Sequence, residues 1–62
     1  MKQYILMLNC KESTMKEFEE HLKMNGYEAF FESDYRYLVV EENEIFEVKT
    51  MLYDRNINFK EI

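Results

Sequence analysis

The same succession of hydrophobic patterns occurs twice in this chain, with a shift of 30 residues. In each half, a short apolar run is followed by apolar residues at helical spacing and then by a residue suited to end a helix. The shift superimposes positions of the same kind: Leu8 with Leu38, Ser13 with Asn43, Met15 with Ile45, Phe18 with Val48, Leu22 with Leu52, and Gly26 with Asn56. The sequence therefore predicts a single domain, 1–62, made of two similar halves, about 1–32 and 33–62.

The first half has the signals of one strand and one helix. The segment Lys2 to Asn9 is short and apolar on both faces, which is typical of a buried central strand. The helix is indicated by an apolar stripe at i, i+3 and i+7 that consists of Met15, Phe18 and Leu22. Ser13 or Thr14 is expected to cap its start, with Glu17 completing a Thr-x-x-Glu capping box, and Asn25-Gly26 is expected to end it.

The second half repeats this plan after a hairpin. The aromatic segment Tyr27 to Glu32 and the segment Tyr35 to Glu41 are predicted strands, joined by a turn at Ser33-Asp34. A second helix is indicated by the stripe Ile45, Val48 and Leu52. Asn43 is expected as its N-cap and Asn56 as the residue that ends it.

The order of the elements predicts the fold class. With Ile57 to Glu61 as a last strand, the chain reads β, α, β, β, α, β. This order predicts an α+β, ferredoxin-like sandwich, in which two right-handed crossovers place both helices on one face of a four-stranded antiparallel sheet. Two chains that exchange strands would give the same pattern. Many unrelated functions share this architecture, so the fold alone implies none of them.

The size and composition of the chain narrow its possible functions. A chain of 62 residues has a small core. The single Cys10 excludes an internal disulfide and the single His21 weakens any zinc site, so oligomerisation is the remaining means of stabilising the fold. A lone cysteine favours the cytoplasm, and the first apolar run is too short for a membrane span. With one glycine and no proline there is no Gly-rich phosphate loop, and we expect no cofactor, no metal and no catalytic residues.

The charge of the chain predicts the kind of partner. Thirteen acidic and eight basic residues give a net charge of −5, which repels nucleic acids and anionic membranes and attracts a protein partner with a basic surface. Four glutamates cluster at the predicted start of the second helix: Glu41, Glu42, Glu44 and Glu47. They are candidate partner-binding residues, with helix capping and solvation as the alternative explanation.

Alternation in the first and third strands leaves a second apolar sheet face. If the leucines of these strands meet the helices, the opposite face carries Tyr35, Tyr37 and Val39, with Ile5 and Met7 beside them. Monomers rarely leave such a patch in water, so Tyr35, Tyr37 and Val39 are candidate partner-binding residues. The alternatives are a hydrated face, or a platform that stacks RNA bases, for which the chain has little positive charge.

These surfaces favour a non-catalytic interaction protein that binds and modulates or inhibits another macromolecule. Size and acidity also suit an inhibitor of a nucleic-acid-binding protein, of the kind that phages and mobile elements produce. The alternative is a homo-oligomer, either structural or sensing a small molecule at its interface. A tight symmetric dimer that buries Tyr35 and Tyr37 would favour this alternative.

Overall fold

The strands and helices follow the predicted order. The computed structural model describes residues 2–32 and 34–62. Its elements are β1 (Gln3–Asn9), α1 (Glu12–Met24), β2 (Phe30–Phe31), β3 (Tyr37–Glu41), a 3-10 turn (Glu42–Glu44), α2 (Ile45–Asp54) and β4 (Asn58–Glu61). The strands form one antiparallel sheet in the order β2-β3-β1-β4. The predicted α+β, ferredoxin-like sandwich is confirmed.

Both helices pack on the same face of the sheet. Strand residues alternate between buried and accessible, and Leu6, Leu38 and Val40 are fully buried beneath the helices. The helical side of the core consists of the predicted stripes: Met15, Phe18, Leu22, Ile45, Val48 and Leu52. Because the helices cover one face, the opposite face of the sheet is left accessible.

The two helices end in the same hydrogen-bonded motif. After α1, the N–H of Tyr27 donates to Leu22 O at 3.0 Å and the N–H of Gly26 donates to Lys23 O at 3.2 Å. The equivalent bonds after α2 run from Ile57 to Leu52 at 2.9 Å and from Asn56 to Tyr53 at 3.0 Å. Gly26 (φ +77°) and Asn56 (φ +57°) have the left-handed backbone that this Schellman motif requires. The predicted helix ends are therefore confirmed.

The predicted start of α1 is wrong. Lys11 is its N-cap, because the backbone of Lys11 is extended (φ −70°, ψ 153°) and its carbonyl accepts the N–H of Met15 at 3.1 Å. Ser13 and Thr14 lie inside the first turn, past the position where a side chain can act as an N-cap. The capping box with Glu17 is not used, and no side chain in the part of the chain that the structure describes caps α1.

The predicted start of α2 is also wrong. Asn43 lies in the middle of the 3-10 turn, which follows β3 directly and leads into the helix. Glu44 occupies the N-cap position of α2, and no described side chain caps this end either. The carboxylate of Glu44 instead contacts the connection between α1 and β2, as described below.

The hairpin between β2 and β3 has shorter strands than predicted. β2 comprises only Phe30–Phe31, and β3 begins two residues later than expected. Between them, Tyr35 has a left-handed backbone (φ +55°), so the chain turns here and does not extend. Asp34 supports the turn because its Oδ1 accepts the N–H of Arg36 at 3.1 Å. Ser33, the other residue of the predicted turn, lies outside the described residues.

Candidate protein-interaction surface

The sheet face opposite the helices is apolar at its centre. Ile5 pairs with Val39 and Met7 pairs with Tyr37 in the antiparallel register of β1 and β3. All four side chains lie on the uncovered face, and Ile5 and Met7 are 38% and 39% exposed. The structure therefore places Tyr37 and Val39 where the sequence predicts them.

One row of this face is apolar across the whole sheet. Phe30 of β2 pairs with Val39. At the other edge the N–H of Ile62 donates to Ile5 O at 2.9 Å, which extends the register of β1 and β4 by one residue. Side chains paired in this way lie side by side on the same face, and Phe30 and Ile62 are 47% and 68% exposed. We call the surface formed by Ile5, Met7, Phe30, Tyr37, Val39 and Ile62 the open face.

The neighbouring row carries opposite charges at its two ends. Glu32 follows β2, and its N–H donates to Tyr37 O at 3.0 Å, so the β2–β3 register continues to this residue. Tyr37 pairs with Met7, and Met7 pairs with Lys60 of β4. The row therefore runs from Glu32 at one edge of the sheet to Lys60 at the other. Neither charge forms an ion pair with any of residues 2–32 and 34–62.

Tyr35 does not belong to the open face, contrary to the prediction. Its hydroxyl donates to Glu19 Oε1 of α1 at 3.1 Å, and its ring centroid lies 5.7 Å from that of Phe31. Lys16 of α1 also lies over the ring, with Nζ 5.6 Å from the centroid. The prediction extends the alternation of β3 back to residue 35, whereas the left-handed turn interrupts it. The hydrogen bond to Glu19 is also the main reason that the pKa of Tyr35 is raised.

Two of the four clustered glutamates form hydrogen bonds that connect separate elements of the fold. Both carboxylate oxygens of Glu44 accept the N–H of Glu28, each at 3.1 Å. Glu47 Oε2 accepts the hydroxyl of Tyr27 at 2.7 Å, which raises the pKa of Tyr27. These hydrogen bonds link the loop between α1 and β2 to the start of α2.

The other two glutamates have different surroundings. Glu41 lies in β3 at the border of the open face, where Gln3 Nε2 donates to its Oε1 at 3.3 Å. Its Oε2 is covered and has no hydrogen-bond partner among the described residues. Glu42 is exposed, and its side chain forms no hydrogen bond with the residues described. Of the predicted cluster, Glu41 alone borders the open face.

Cys10 and His21 lie at opposite ends of α1. Cys10 precedes the helix and packs partly buried against the core, whereas His21 is in the last turn. The helical rise places about 15 Å between these ends, so His21 is not positioned to deprotonate the thiol. Burial raises the pKa of Cys10, which further opposes thiolate formation.

The described residues form open surface depressions but no cluster of metal-ligating side chains. No group of three or more metal-ligating side chains comes together among residues 2–32 and 34–62. Two open depressions border β4, one beside Tyr53 and Phe59 and the other beside Met7 and Lys60. Both are surface features of the described chain.

Phe30 and Ile62 are residues of the open face that were not among those expected from the sequence pattern. The signal in both cases is alternation from a neighbour that contacts the core. Phe31 is buried, so Phe30 points to the opposite side. Phe59 packs against the core, so Ile62, three residues later, also points away from it.

Comparison with protein-family models, with curated proteins and with solved structures finds no significant match to this chain. None of the helices that the structure describes is both long enough and apolar enough to cross a membrane.

Proposed function

We propose that this chain is a non-catalytic interaction domain that binds a protein through the open face. The observation that carries the proposal is the apolar row of Phe30, Val39, Ile5 and Ile62, which crosses all four strands and stays accessible to water. When a partner removes apolar surface from water, each Å² buried contributes about 25 cal/mol of favourable free energy. Contiguous exposed apolar patches with a polar border are typical of protein interaction sites.

The border of the open face supports the same proposal. Glu32, Lys60 and Glu41 surround the apolar row, and Tyr37 lies beside its centre. Protein interfaces place aromatic and apolar groups centrally and charged groups at the rim, where water still reaches them. The net charge of −5 favours a protein over nucleic acid, because phosphates would be repelled.

The glutamate cluster does not carry this proposal. Glu44 and Glu47 already accept hydrogen bonds from Glu28 and Tyr27, so their carboxylates have a role within the fold. A partner held on the open face would be modulated or inhibited by loss of access to its own surface, with no chemical step.

A photo-crosslinking amino acid tests the proposal at position 30, with position 46 as a matched control. Phe30 and Phe46 are both exposed phenylalanines, at 47% and 84%, but Phe46 lies on α2, away from the open face. In cells that express the chain natively, we expect a protein adduct from position 30 that Ile62→Lys abolishes. No adduct from position 30, or the same adduct from both positions, would contradict the proposal.

A further inference from the structure

The two edges of the open face carry charges of opposite sign. Glu32 lies at the β2 edge and Lys60 at the β4 edge of the same row. Neighbouring strands are about 4.8 Å apart, so roughly 14 Å separates the two positions and they cannot pair within one chain. Each edge therefore carries the charge that would complement the opposite edge.

We infer that the protein bound by the open face is a second copy of this chain, which is the homo-oligomer that the sequence leaves as the alternative; the inference rests on the proposed use of the open face for binding. The complex is a face-to-face dimer whose twofold axis runs parallel to the strands, between β1 and β3. This axis places β3 over β1 of the second copy and β2 over β4 of the second copy.

The observed register specifies the contacts of this dimer. Rotation about the axis keeps every residue in its own row and exchanges the two sides of the sheet. The contacts, each formed twice, are Val39 with Ile5, Tyr37 with Met7, Phe30 with Ile62, Glu32 with Lys60, and Glu41 with Gln3. Apolar side chains meet apolar ones, and the carboxylate of Glu32 meets the amine of Lys60. Glu41, which already accepts a hydrogen bond from Gln3 of its own chain, lies over the amide of Gln3 of the second copy.

The charges favour a twofold axis parallel to the strands over one that runs across them. A twofold axis across the strands, along the charged row, would bring Glu32 against Glu32 and Lys60 against Lys60. Like charges at an interface are unfavourable, so this arrangement is disfavoured. An axis parallel to the strands also suits the usual packing of two sheets, with strand directions within about 30° and a separation of about 10 Å.

The size of the open face predicts a weak dimer. Four strands of this length present roughly 400 Å² per copy, which is about half of the 800 Å² that each partner buries in a standard interface. The net charge of −5 on each copy also opposes association at long range. We therefore expect reversible self-association with a dissociation constant of about 10 µM to 1 mM.

Exchange of the paired charges tests the geometry by sedimentation equilibrium. Glu32→Lys alone, or Lys60→Glu alone, turns both ion pairs of the dimer into repulsions and should weaken self-association roughly tenfold. An equimolar mixture of the two variants restores opposite charges at both contacts, as does a chain that carries both changes. Both should therefore associate as tightly as the unchanged chain, and circular dichroism checks that each variant is folded.

Two further variants control for the position of the contact. Ile62→Lys places a charge against Phe30 of the second copy and should weaken association at least about tenfold. Phe46→Lys changes an exposed phenylalanine of α2 and should leave association unchanged. A dimer that is insensitive to Ile62→Lys and to the charge exchange would overturn the inference in favour of pairing through the β4 edge or strand exchange.

Sedimentation equilibrium and crosslinking together distinguish failure of the second-copy inference from failure of the proposed function. A folded chain that stays monomeric at about 1 mM overturns the second-copy inference. The proposed function then stands if position 30 crosslinks to a different protein. It fails together with the inference if position 30 gives no adduct.

Discussion

Glu42 and Glu44 are close in sequence but differ in their contacts. The Glu44 carboxylate accepts the N–H of Glu28 through both oxygens at 3.1 Å, whereas the Glu42 side chain is exposed. Glu44→Ala should lower the free energy of unfolding by about 1 to 2 kcal/mol, because the N–H loses a charged acceptor. Glu42→Ala should change it by less than about 0.5 kcal/mol. Urea denaturation measures both, and equal losses would contradict the structural role of Glu44.

Ionisation of Tyr27 makes the stability of the fold depend on pH in the alkaline range. Its hydrogen bond to Glu47, its partial burial and the nearby carboxylates raise its pKa above the ordinary value of 10.0. Because the pKa is higher in the folded state, the stabilisation is complete below the unfolded pKa of about 10 and is lost as the pH rises through the folded pKa. Stability should therefore decline in that alkaline range.

Glu47→Gln tests this pH dependence. Removal of the carboxylate charge should lower the pKa of Tyr27, measured by NMR titration of labelled tyrosine with Tyr27→Phe to assign the signal. The pKa of Tyr35 serves as the internal control, because it is raised by a different carboxylate, Glu19. If Glu47→Gln leaves the pKa of Tyr27 unchanged, the hydrogen bond between Tyr27 and Glu47 is not formed in solution.

At the scale of the elements, the helix ends could be predicted from the sequence and the helix starts could not. Gly26 and Asn56 belong to the few residue types that adopt a left-handed backbone with little strain, so the signal is local. The start of α2 depends on a tertiary contact of Glu44, which a local motif around Asn43 does not reveal. Lys11 has no side-chain acceptor, so no sequence pattern marks it as an N-cap.

Gly26 allows a direct test of the helix end. No atom lies within 4 Å of a Cβ added at this position, so a substitution meets backbone strain at φ +77° and not a steric clash. Gly26→Ala should cost about 1 to 2 kcal/mol of stability. Gly26→Asn should cost less, because asparagine occupies the equivalent position 56. Thermal unfolding compares the two, and equal losses would argue against a backbone origin.

The open face could be predicted only in part. Ile5, Val39 and Tyr37 follow from alternation within strands that the sequence marks clearly. Phe30 and Phe31 point to opposite faces by alternation, but which of the two is buried depends on the register of β2 with β3, and that register depends on how the chain turns between the two strands. The position of Tyr35 does not follow from the sequence, because tyrosine rarely has a positive φ and the turn signal at Ser33-Asp34 does not show that the turn continues through residue 35.

At the scale of the whole molecule, stability depends on a single small core. Leu22 and Leu52 are fully buried at matching positions of the two helices. Leu22→Ala or Leu52→Ala should cost about 2 to 5 kcal/mol, which approaches the total stability of about 5 kcal/mol at the lower end for small proteins. Met24→Ala, at a side chain that is 80% exposed, is the control. Unchanged melting of the leucine variants by circular dichroism would contradict this core.

The two edges of the sheet differ in length. β2 comprises two residues, whereas β4 comprises four. An exposed strand edge is a template on which another chain can add a strand. A neighbour could add along β4, but β2 offers too short a template for the next chain, so stacking into a fibre would stop after one addition. A β2 edge of only two residues therefore disfavours polymerisation by strand addition in this aromatic-rich chain.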